Sequence, residues 1–408
     1  MSKHRTIGDR IRTLREFRGG VSQEQLAERA GVHVDTVRKL EQGVRATARI
    51  DTLRKIAGAL DVELERLLGQ PTVTPQQVDD GGLLALRDAI QNVGALPGVP
   101  AEPDLEDPPA VAAWIASVRH ATRLYWEGGY SDLSAALPLL LRDGRAVVRE
   151  AGSGPEAAGA WQQLALAYQL AACLCTQAGH TSWAVDAVRQ QLAAARRASD
   201  PLMEGMGVST LSWVLLRQGS WETAQQIAEA KAEALEPSFR RGTPAEFAVY
   251  GNLLTAAATP AARRSRRDEA MQLLGTAERA AERVGRPVHT HGSSFSVVDV
   301  QTQLTNIALA GEPAPAEALT QAARVDVGAI SRPVHAAAHR VDVAQAQYLT
   351  GDADGALDTL LEVEEDQPEW IKYQVIAGET VREMLEAERR RNAPLRGLAG
   401  RLGVDPTL

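Results

Sequence analysis

Apolar residues recur at helical spacing through most of this sequence, and the clearest pattern lies between Ser22 and Gln42. Two short helices joined by a tight turn are predicted there. The apolar positions share one face of each helix: Leu26, Ala27 and Ala30 in the first, Val37 and Leu40 in the second. Because Ala27 is small, the two helices can cross closely, and their apolar faces are expected to meet.

The turn and the start of each helix carry their own signals. Ser22 is a natural N-cap, and Gln25 three residues later completes a capping box. Gly31 suits the left-handed position that ends the first helix, because glycine has no Cβ to clash. Val32 is expected to be the buried turn residue, and His33 to cap the second helix. Together these offsets indicate a DNA-reading helix-turn-helix.

From Val111 to the C-terminus nearly every segment has a helical period, which predicts an all-α body. A glycine followed five residues later by an alanine occurs four times: Gly179/Ala184, Gly219/Ala224, Gly311/Ala316 and Gly351/Ala356. Each glycine is expected to end a helix, and each alanine to let the next helix pack closely. Prolines often close the unit: Pro201, Pro237 and Pro368. The pattern predicts stacked helix pairs, with further ones at Tyr125–Val148 and near Asp268–Val284.

Composition divides the chain into three predicted parts. Residues 1–69 form the DNA-binding domain, and residues 70–109 a polar linker with one short helix from Leu83 to about Val93. Residues 110–408 form a helical-repeat domain for sensing and dimerisation. Residues 1–70 carry a net charge of +4 and the remaining 338 residues −12. The basic end therefore suits phosphate contact, whereas DNA would repel the acidic remainder.

The first 70 residues or so resemble the helix-turn-helix of the Xre/Cro family, of the phage-repressor type. An upstream helix belongs to this resemblance, with Ile7, Ile11 and Leu14 inside and Arg10, Arg12, Arg15 and Arg18 outside. So do three later stretches: Leu40–Gly43, Ile50–Ala57 and Leu60–Leu68. The resemblance implies a five-helix DNA-binding domain.

The whole layout resembles the Xre-type regulators common in actinobacteria, which carry a long C-terminal domain of degenerate tetratricopeptide (TPR)-like repeats. The stretches that carry this resemblance are Gly129–Pro138, Ala160–Tyr168, Ala234–Pro237 and Leu395–Val404. More distantly, the layout is similar to peptide-sensing regulators of Gram-positive bacteria, whose repeats hold a signalling peptide. The resemblance implies a TPR-like solenoid that binds a peptide, a small molecule or a partner protein.

The second helix of the motif is expected to meet base edges in the major groove. The base-reading candidates point away from its buried face: His33, Val34, Asp35, Arg38, Lys39 and Gln42. Arg38 or Lys39 can donate to guanine, Asp35 can accept from cytosine, and Val34 can touch a thymine methyl. The phosphate candidates are Arg10, Gln23, Thr36, Arg45 and Arg49.

The helical body predicts a binding groove rather than an active site. Asn252 and Asn306 lie within helical patterns, where asparagine lowers helix propensity unless its amide finds a partner such as a peptide backbone. In peptide-sensing relatives such asparagines grip the peptide, although asparagine is also common at this place in TPR-like repeats. Weaker groove candidates are Tyr168, Trp213, Tyr250 and Gln303.

No catalytic constellation, cofactor site or metal site is predicted. His335 and His339 share a helix face, but no partner ligand is evident nearby in the sequence. The basic run Arg263–Arg267 is expected to be a solvated loop between helices. Cys173 and Cys175 lie two residues apart on a predicted helix, so they face different ways and are expected to be small core residues. With no apolar run of membrane-spanning length and no signal segment, the cytoplasm is the expected compartment.

These patterns predict a bacterial, sequence-specific transcriptional regulator that binds double-stranded DNA. One such module reads few base pairs, so a homodimer on a palindromic operator is expected. The alternative is a protein–protein adaptor in which the TPR-type domain does the binding and the helix-turn-helix is accessory. An enzyme is not expected.

Overall fold

The computed structural model describes residues 7–17, 21–44, 48, 50–60, 80–92, 108–387 and 392–405. Helices account for nearly all regular structure in these residues, which confirms the all-α prediction. The nineteen α-helices of the described residues are α1 Ile7–Phe17, α2 Gln23–Ala30, α3 Val34–Glu41, α4 Ile50–Ala59, α5 Asp80–Gln91, α6 Val111–Glu127, α7 Tyr130–Glu150, α8 Pro155–Gln177, α9 Thr181–Arg197, α10 Pro201–Arg217, α11 Trp221–Ala234, α12 Pro244–Arg263, α13 Arg267–Val284, α14 Val297–Leu309, α15 Pro315–Ala322, α16 Pro333–Thr350, α17 Ala353–Asp366, α18 Val375–Glu386 and α19 Ala393–Arg401.

Helices α1–α4 form a small N-terminal unit, here called the head, around its own hydrophobic core. Ile11, Leu26, Val37, Leu40, Leu53 and Ile56 are fully buried there. Most of the predicted fifth helix, Leu60–Leu68, lies outside the described residues. The head is thus a compact unit whose helices pack through the apolar faces that the sequence pattern predicts.

Helices α5–α19 form the body, in which successive helices pack against each other along the chain. The short helix α5 belongs to this packing, since Leu83, Leu86 and Ile90 are buried in the body's main core. Cys173 and Cys175 lie on α8 as free thiols, and burial raises the pKa of each to about 12. Cys175 is a buried core residue, as expected, whereas Cys173 is half-buried at the edge of the main core; the raised pKa makes neither a reactive thiolate.

The glycine–alanine pattern marks real turns between helices. All four glycines have a positive φ: Gly179, Gly219, Gly311 and Gly351. Three of the four alanines are completely buried in the next helix: Ala184, Ala224 and Ala356. The fourth expectation is wrong, because Ala316 is exposed and Ala318 takes the buried place. The reason is that Pro315 begins α15 later after its glycine, which shifts the buried position by two residues.

One part of the body departs from the all-helical expectation. Val288–Thr290 and Ser293–Phe295 pair as a short antiparallel hairpin. The ring of Phe295 packs directly on α12, where a Cβ at Gly251 would overlap it. The hairpin therefore fixes the start of α14 against α12.

The head rests on the body through α4 and the start of α18. Val375 and Ile376 of α18 pack against the head's core. A Cβ at Gly58 would lie 2.9 Å from the Trp221 ring at the start of α11. The described helices include none that is both long and apolar enough to cross a membrane.

Asp200 anchors the start of α10 and provides a test of this packing. Its carboxylate accepts hydrogen bonds from the backbone N–H groups of Leu202 and Met203, from Gln162 and from His291. Burial alone would raise the pKa of Asp200, but these bonds lower it to about 2.

We expect Asp200→Asn to lower the free energy of unfolding at pH 7 by about 1–2 kcal/mol. Because the folded pKa lies below the unfolded value of 3.8, this stabilisation is present above pH 3.8 and is lost as the pH falls towards 2. Thermal unfolding of both proteins from pH 7 to pH 3 measures the difference. The control is Asp186→Asn on α9, because the carboxylate of Asp186 forms only an ion pair at the surface, with Arg189 one turn further along α9. A difference that stays constant with pH would contradict the assignment.

Candidate DNA-reading surface and ligand groove

The helix α3 presents one buried and one exposed face. Val37, Leu40 and Glu41 are buried against the head. The base-reading candidates lie on the other side: His33, Arg38, Lys39 and Gln42 are exposed, and Val34 and Asp35 are half-buried. All six are therefore placed together on one surface of the head.

The local signals of the motif form as the sequence predicts. The Ser22 hydroxyl accepts from Gln25 N–H at 3.1 Å, and the Gln25 side chain accepts from Ser22 N–H at 2.9 Å. Gly31 ends α2 with a φ of +61°. His33 caps α3, since its Nδ1 accepts from Asp35 N–H at 3.3 Å. These caps fix where α3 begins and hence which residues face outward.

Arg38 is held in place before any DNA arrives. Its guanidinium lies 3.2 Å from the carboxylate of Asp35 and 3.5 Å from that of Glu24. Both pairs are solvent-exposed, so each contributes little to stability and is readily exchanged for a stronger bidentate partner. A guanine edge offers such a partner, and Asp35 would then be free to accept from a neighbouring cytosine.

A buried carboxylate holds α3 to the rest of the head. Glu41, 3% exposed, accepts two hydrogen bonds from Arg15, at 2.8 and 3.0 Å, and one from Gln23 at 2.7 Å. Arg12 donates to the backbone carbonyl of Glu41. The expectation that Arg15 points outward is wrong, because its charge is the counterion of Glu41. Gln23, a phosphate candidate, directs its amide to the same carboxylate.

The first helix also approaches α3 closely. A Cβ at Gly8 would overlap the carbonyl oxygen of Leu40, so only glycine fits at this crossing. Among the other phosphate candidates, Arg10 on α1 and Thr36 on α3 are half-buried. Arg45 and Arg49 lie outside the described residues.

A second candidate site, here called the central groove, runs between inner helices of the body. Its acidic half, of about 320 Å³, lies among α10, α12, α14 and α16. Its aromatic half, of about 390 Å³, extends to α6 and α8. Six residues line both halves, so the two halves are continuous: Ser209, Trp213, Asn252, Ser294, His335 and Ala338. A larger depression of about 610 Å³ around Asp200 lies elsewhere, along interhelical turns.

In the acidic half, α14 and α16 lie side by side with matching polar residues. Oδ1 of Asp299 lies 3.5 Å from Nδ1 of His335 at one end. At the other end, the Asn306 amide donates to Asp342 at 3.1 Å. Asp299, Gln303 and Asn306 are spaced by four and three residues, as are His335, His339 and Asp342. Each set therefore lies on one helix face.

The structure brings some of the predicted groove residues together and separates others. Trp213, Asn252 and Gln303 line the groove, and Asn306 bonds to the lining residue Asp342. Tyr168 and Tyr250 lie in the hydrophobic cores instead. The Asn252 amide already donates to Ala248 O at 2.8 Å and to the Ser293 hydroxyl at 3.3 Å.

The acidic half contains polar atoms that find no hydrogen-bond partner in the described structure. They are Nδ1 of His339, on a side chain only 2% exposed, and Oδ1 of Asp299, whose one contact is the ion pair with Nδ1 of His335 at 3.5 Å. Burial lowers the pKa of His339 and raises that of Asp342 to about 6. For Asp299, burial would raise the pKa, but bonding to His335 and to serine hydroxyls lowers it. Unpartnered buried polar atoms are uncommon in native interiors and favour a ligand here.

The aromatic half is built from a cluster of packed rings. Tyr125 stacks on Tyr130, Trp126 packs edge-on to Tyr125 and to His335, and Tyr130 packs edge-on to Tyr373. The guanidinium of Arg332 lies 5.1 Å from the Trp126 ring centre. This half offers apolar area and ring faces, and Arg217 is the one arginine or lysine among its described lining residues.

Comparison with protein families identifies the head. Residues 11–67 match the family model described as Helix-turn-helix (HTH_3). The chain carries an N-terminal helix-turn-helix domain of the Xre type. In such domains the second helix of the motif, here α3, is the one that enters the major groove of DNA.

Two solved structures are similar to larger parts of the chain. BtubC (BKLC) from P. vanneervenii is 14% identical, covering 70% of this chain and 97% of its own, with a TM-score of 0.38. The apo form of ComR from S. thermophilus is 14% identical, covering 94% and 99% respectively, with a TM-score of 0.26. No curated protein matches the chain.

We expect Glu41→Ala to destabilise the helix-turn-helix domain by about 3 kcal/mol, because the largely buried guanidinium of Arg15 would lose its counterion. Hydrogen exchange of the backbone amides of α1–α3, followed by mass spectrometry, measures the loss. Glu28→Ala is the matched control, since Glu28 is exposed on α2. Equal protection in both variants would show that the buried pair does not hold α3 in place.

Proposed function

We propose that the protein is a cytoplasmic, sequence-specific transcriptional regulator that binds an operator through α3 and a ligand in its central groove. The supporting observation is the exposed surface of α3. Among the described residues, no hydrogen bond or ion pair joins α3 to the body. Arg38, Lys39 and Gln42 therefore remain accessible to a DNA major groove while the head is docked on the body.

The two charges of α3 have distinct roles in this proposal. Arg38 can exchange Asp35 and Glu24 for the O6 and N7 atoms of guanine, which gives a bidentate and hence specific contact. Lys39 provides a point charge for a neighbouring base or phosphate. A free Asp35 adds selectivity, because it accepts from cytosine and repels phosphate.

A homodimer is part of the same proposal. One helix-turn-helix contacts few base pairs, and two heads placed one helical turn apart provide the affinity that an operator requires. The acidic body supplies the dimer contact, since it would be repelled from DNA and lie away from it.

The ligand acts on DNA binding only if it prefers one arrangement of the two heads. An electrostatic attraction between head and groove supports this effect. Arg54 of α4 in the head attracts the carboxylate of Asp342, which lines the groove. A ligand that reaches Asp342 therefore changes the electrostatic environment of a head residue.

We expect wild-type protein to enrich a few genomic fragments that share an inverted repeat, and Arg38→Ala/Lys39→Ala to lose that enrichment. Each lost base contact should cost about 1–3 kcal/mol. Sequencing of fragments recovered at one moderate salt concentration measures both. The control Arg189→Ala/Arg196→Ala removes the same two charges from exposed positions of the body and should retain the wild-type sites.

Equal, unspecific recovery by wild type and by the α3 double variant would contradict base reading through this helix. Loss of recovery in the body control as well would mean that net charge, rather than α3, determines retention.

We also expect two protein chains per recovered operator, because each half of the inverted repeat accommodates one head. Analytical ultracentrifugation of protein mixed with a labelled operator measures the stoichiometry. A DNA carrying a single half-site is the control and should bind more weakly. A complex with one chain per full operator would contradict the dimer.

A further inference from the structure

The acidic half of the central groove has a charge pattern that limits what it can bind. Its lining contains two carboxylates, Asp299 and Asp342, and two histidines, His335 and His339. In the part of the chain that the structure describes, this lining includes no lysine or arginine. Any charged group that a ligand places here therefore meets carboxylates first.

The two carboxylates are placed at opposite ends of this half. Asp299 of α14 lies beside His335 of α16, and Asp342 of α16 lies beside Asn306 of α14. Seven residues of helix separate these levels, which is about 10 Å along the axis. Gln303 and His339 lie between them on the same faces, so the space between the carboxylates is polar but uncharged when His339 is neutral.

Nearby arginines do not fully compensate these charges. Arg332 attracts Asp299 but lies over the Trp126 ring, and the group 3.5 Å from Oδ1 of Asp299 is the imidazole of His335 rather than a permanent cation. Arg54 and Arg263 attract Asp342 from the side of the head, yet burial still raises the pKa of Asp342 to about 6. A raised carboxyl pKa means that the ionised form is under-stabilised in this structure. An added positive charge would stabilise it.

The groove also suits the rest of an organic cation. The aromatic rings of the adjoining half can face a charged group, and a cation over a ring face is attracted by the ring quadrupole. The apolar lining of the acidic half accommodates methylene groups: Leu216, Ala256, Val300 and Ala338.

We propose that the ligand of the central groove carries an alkylammonium group, which binds in the acidic half to a carboxylate of Asp299 or Asp342. This inference rests on the proposed function of the groove as a ligand site. A linear polyamine and a lysine side chain of a peptide both supply this chemistry, and the test below separates the two sources.

The test is calorimetric titration of the full chain, without DNA, with four probes. Spermidine and a trilysine peptide carry the cation, whereas a linear dicarboxylate and a triglutamate peptide carry the opposite charge. We expect saturable binding of at least one cationic probe and none of the anionic ones. Binding of spermidine alone would identify a polyamine as the ligand source, and binding of trilysine alone a peptide. Binding of both would show that the alkylammonium group itself is recognised.

Two charge-neutralising variants locate the binding. Asp299→Asn and Asp342→Asn should each weaken the cationic probe by about tenfold or more. Asp358→Asn is the matched control, because Asp358 is exposed on α17 and should leave affinity unchanged. Gln303→Lys places a cation between the two carboxylates, so it should abolish probe binding while raising the thermal midpoint. A merely unfolded variant would lower that midpoint.

The pH dependence provides a readout that a structural role would not change. Affinity for the cationic probe should rise from pH 5 to pH 7 as Asp342 ionises. Burial lowers the pKa of His339, and its protonation at acidic pH would add a positive charge that weakens binding of the probe. Asp342→Asn should therefore reduce the change in affinity between pH 5 and pH 7 without abolishing it.

Equal affinity in wild type, Asp299→Asn and Asp342→Asn would show unspecific attraction to the acidic surface and overturn the proposal. Preferential binding of the anionic probes, or no saturable binding of either cationic probe, would overturn it as well. Because the titration contains no DNA, it measures cation binding whether or not the protein binds an operator. Cation binding without operator binding would reject the regulator function alone.

Discussion

The buried carboxylate of Glu41 is the constraint on which the DNA-reading surface depends. It lies on the inner face of α3 and receives hydrogen bonds from Arg15 of α1 and Gln23 of α2. Three helices are thus joined at one charged point inside a small domain. Because a carboxylate in that position needs its partners, the rotation of α3 is fixed, and Arg38 and Lys39 are left facing outward.

Local patterns predicted the head well because they are local in origin. The Ser22–Gln25 capping box, the left-handed Gly31 and the His33 cap each depend on residues within three or four positions. Contacts between distant parts of the chain were not predictable in the same way. Glu41 meets Arg15 across 26 residues, and the crossing at Gly8 is evident only once α1 lies against Leu40.

The body shows the same division between local and distant information. Glycine turns and buried alanines were readable from a fixed spacing, except where Pro315 delays the start of α15. In the acidic half of the groove, Asn252 and Gln303 were predicted as lining residues, but the carboxylates of Asp299 and Asp342 were not, although a signal existed. Asp299, Gln303 and Asn306 repeat the four-and-three spacing of His335, His339 and Asp342. Only the folded chain shows that these two faces meet and that both carboxylates line one groove.

The central claim is that this protein reads DNA sequence through α3, and the specificity ratio tests it most directly. That ratio compares the affinity for the most enriched operator with the affinity for a shuffled duplex of equal length at one salt concentration. The account predicts a ratio of about 10³ or more, as expected for a regulator with base contacts. A ratio near one would show that the head holds DNA through phosphate attraction alone and would contradict the account.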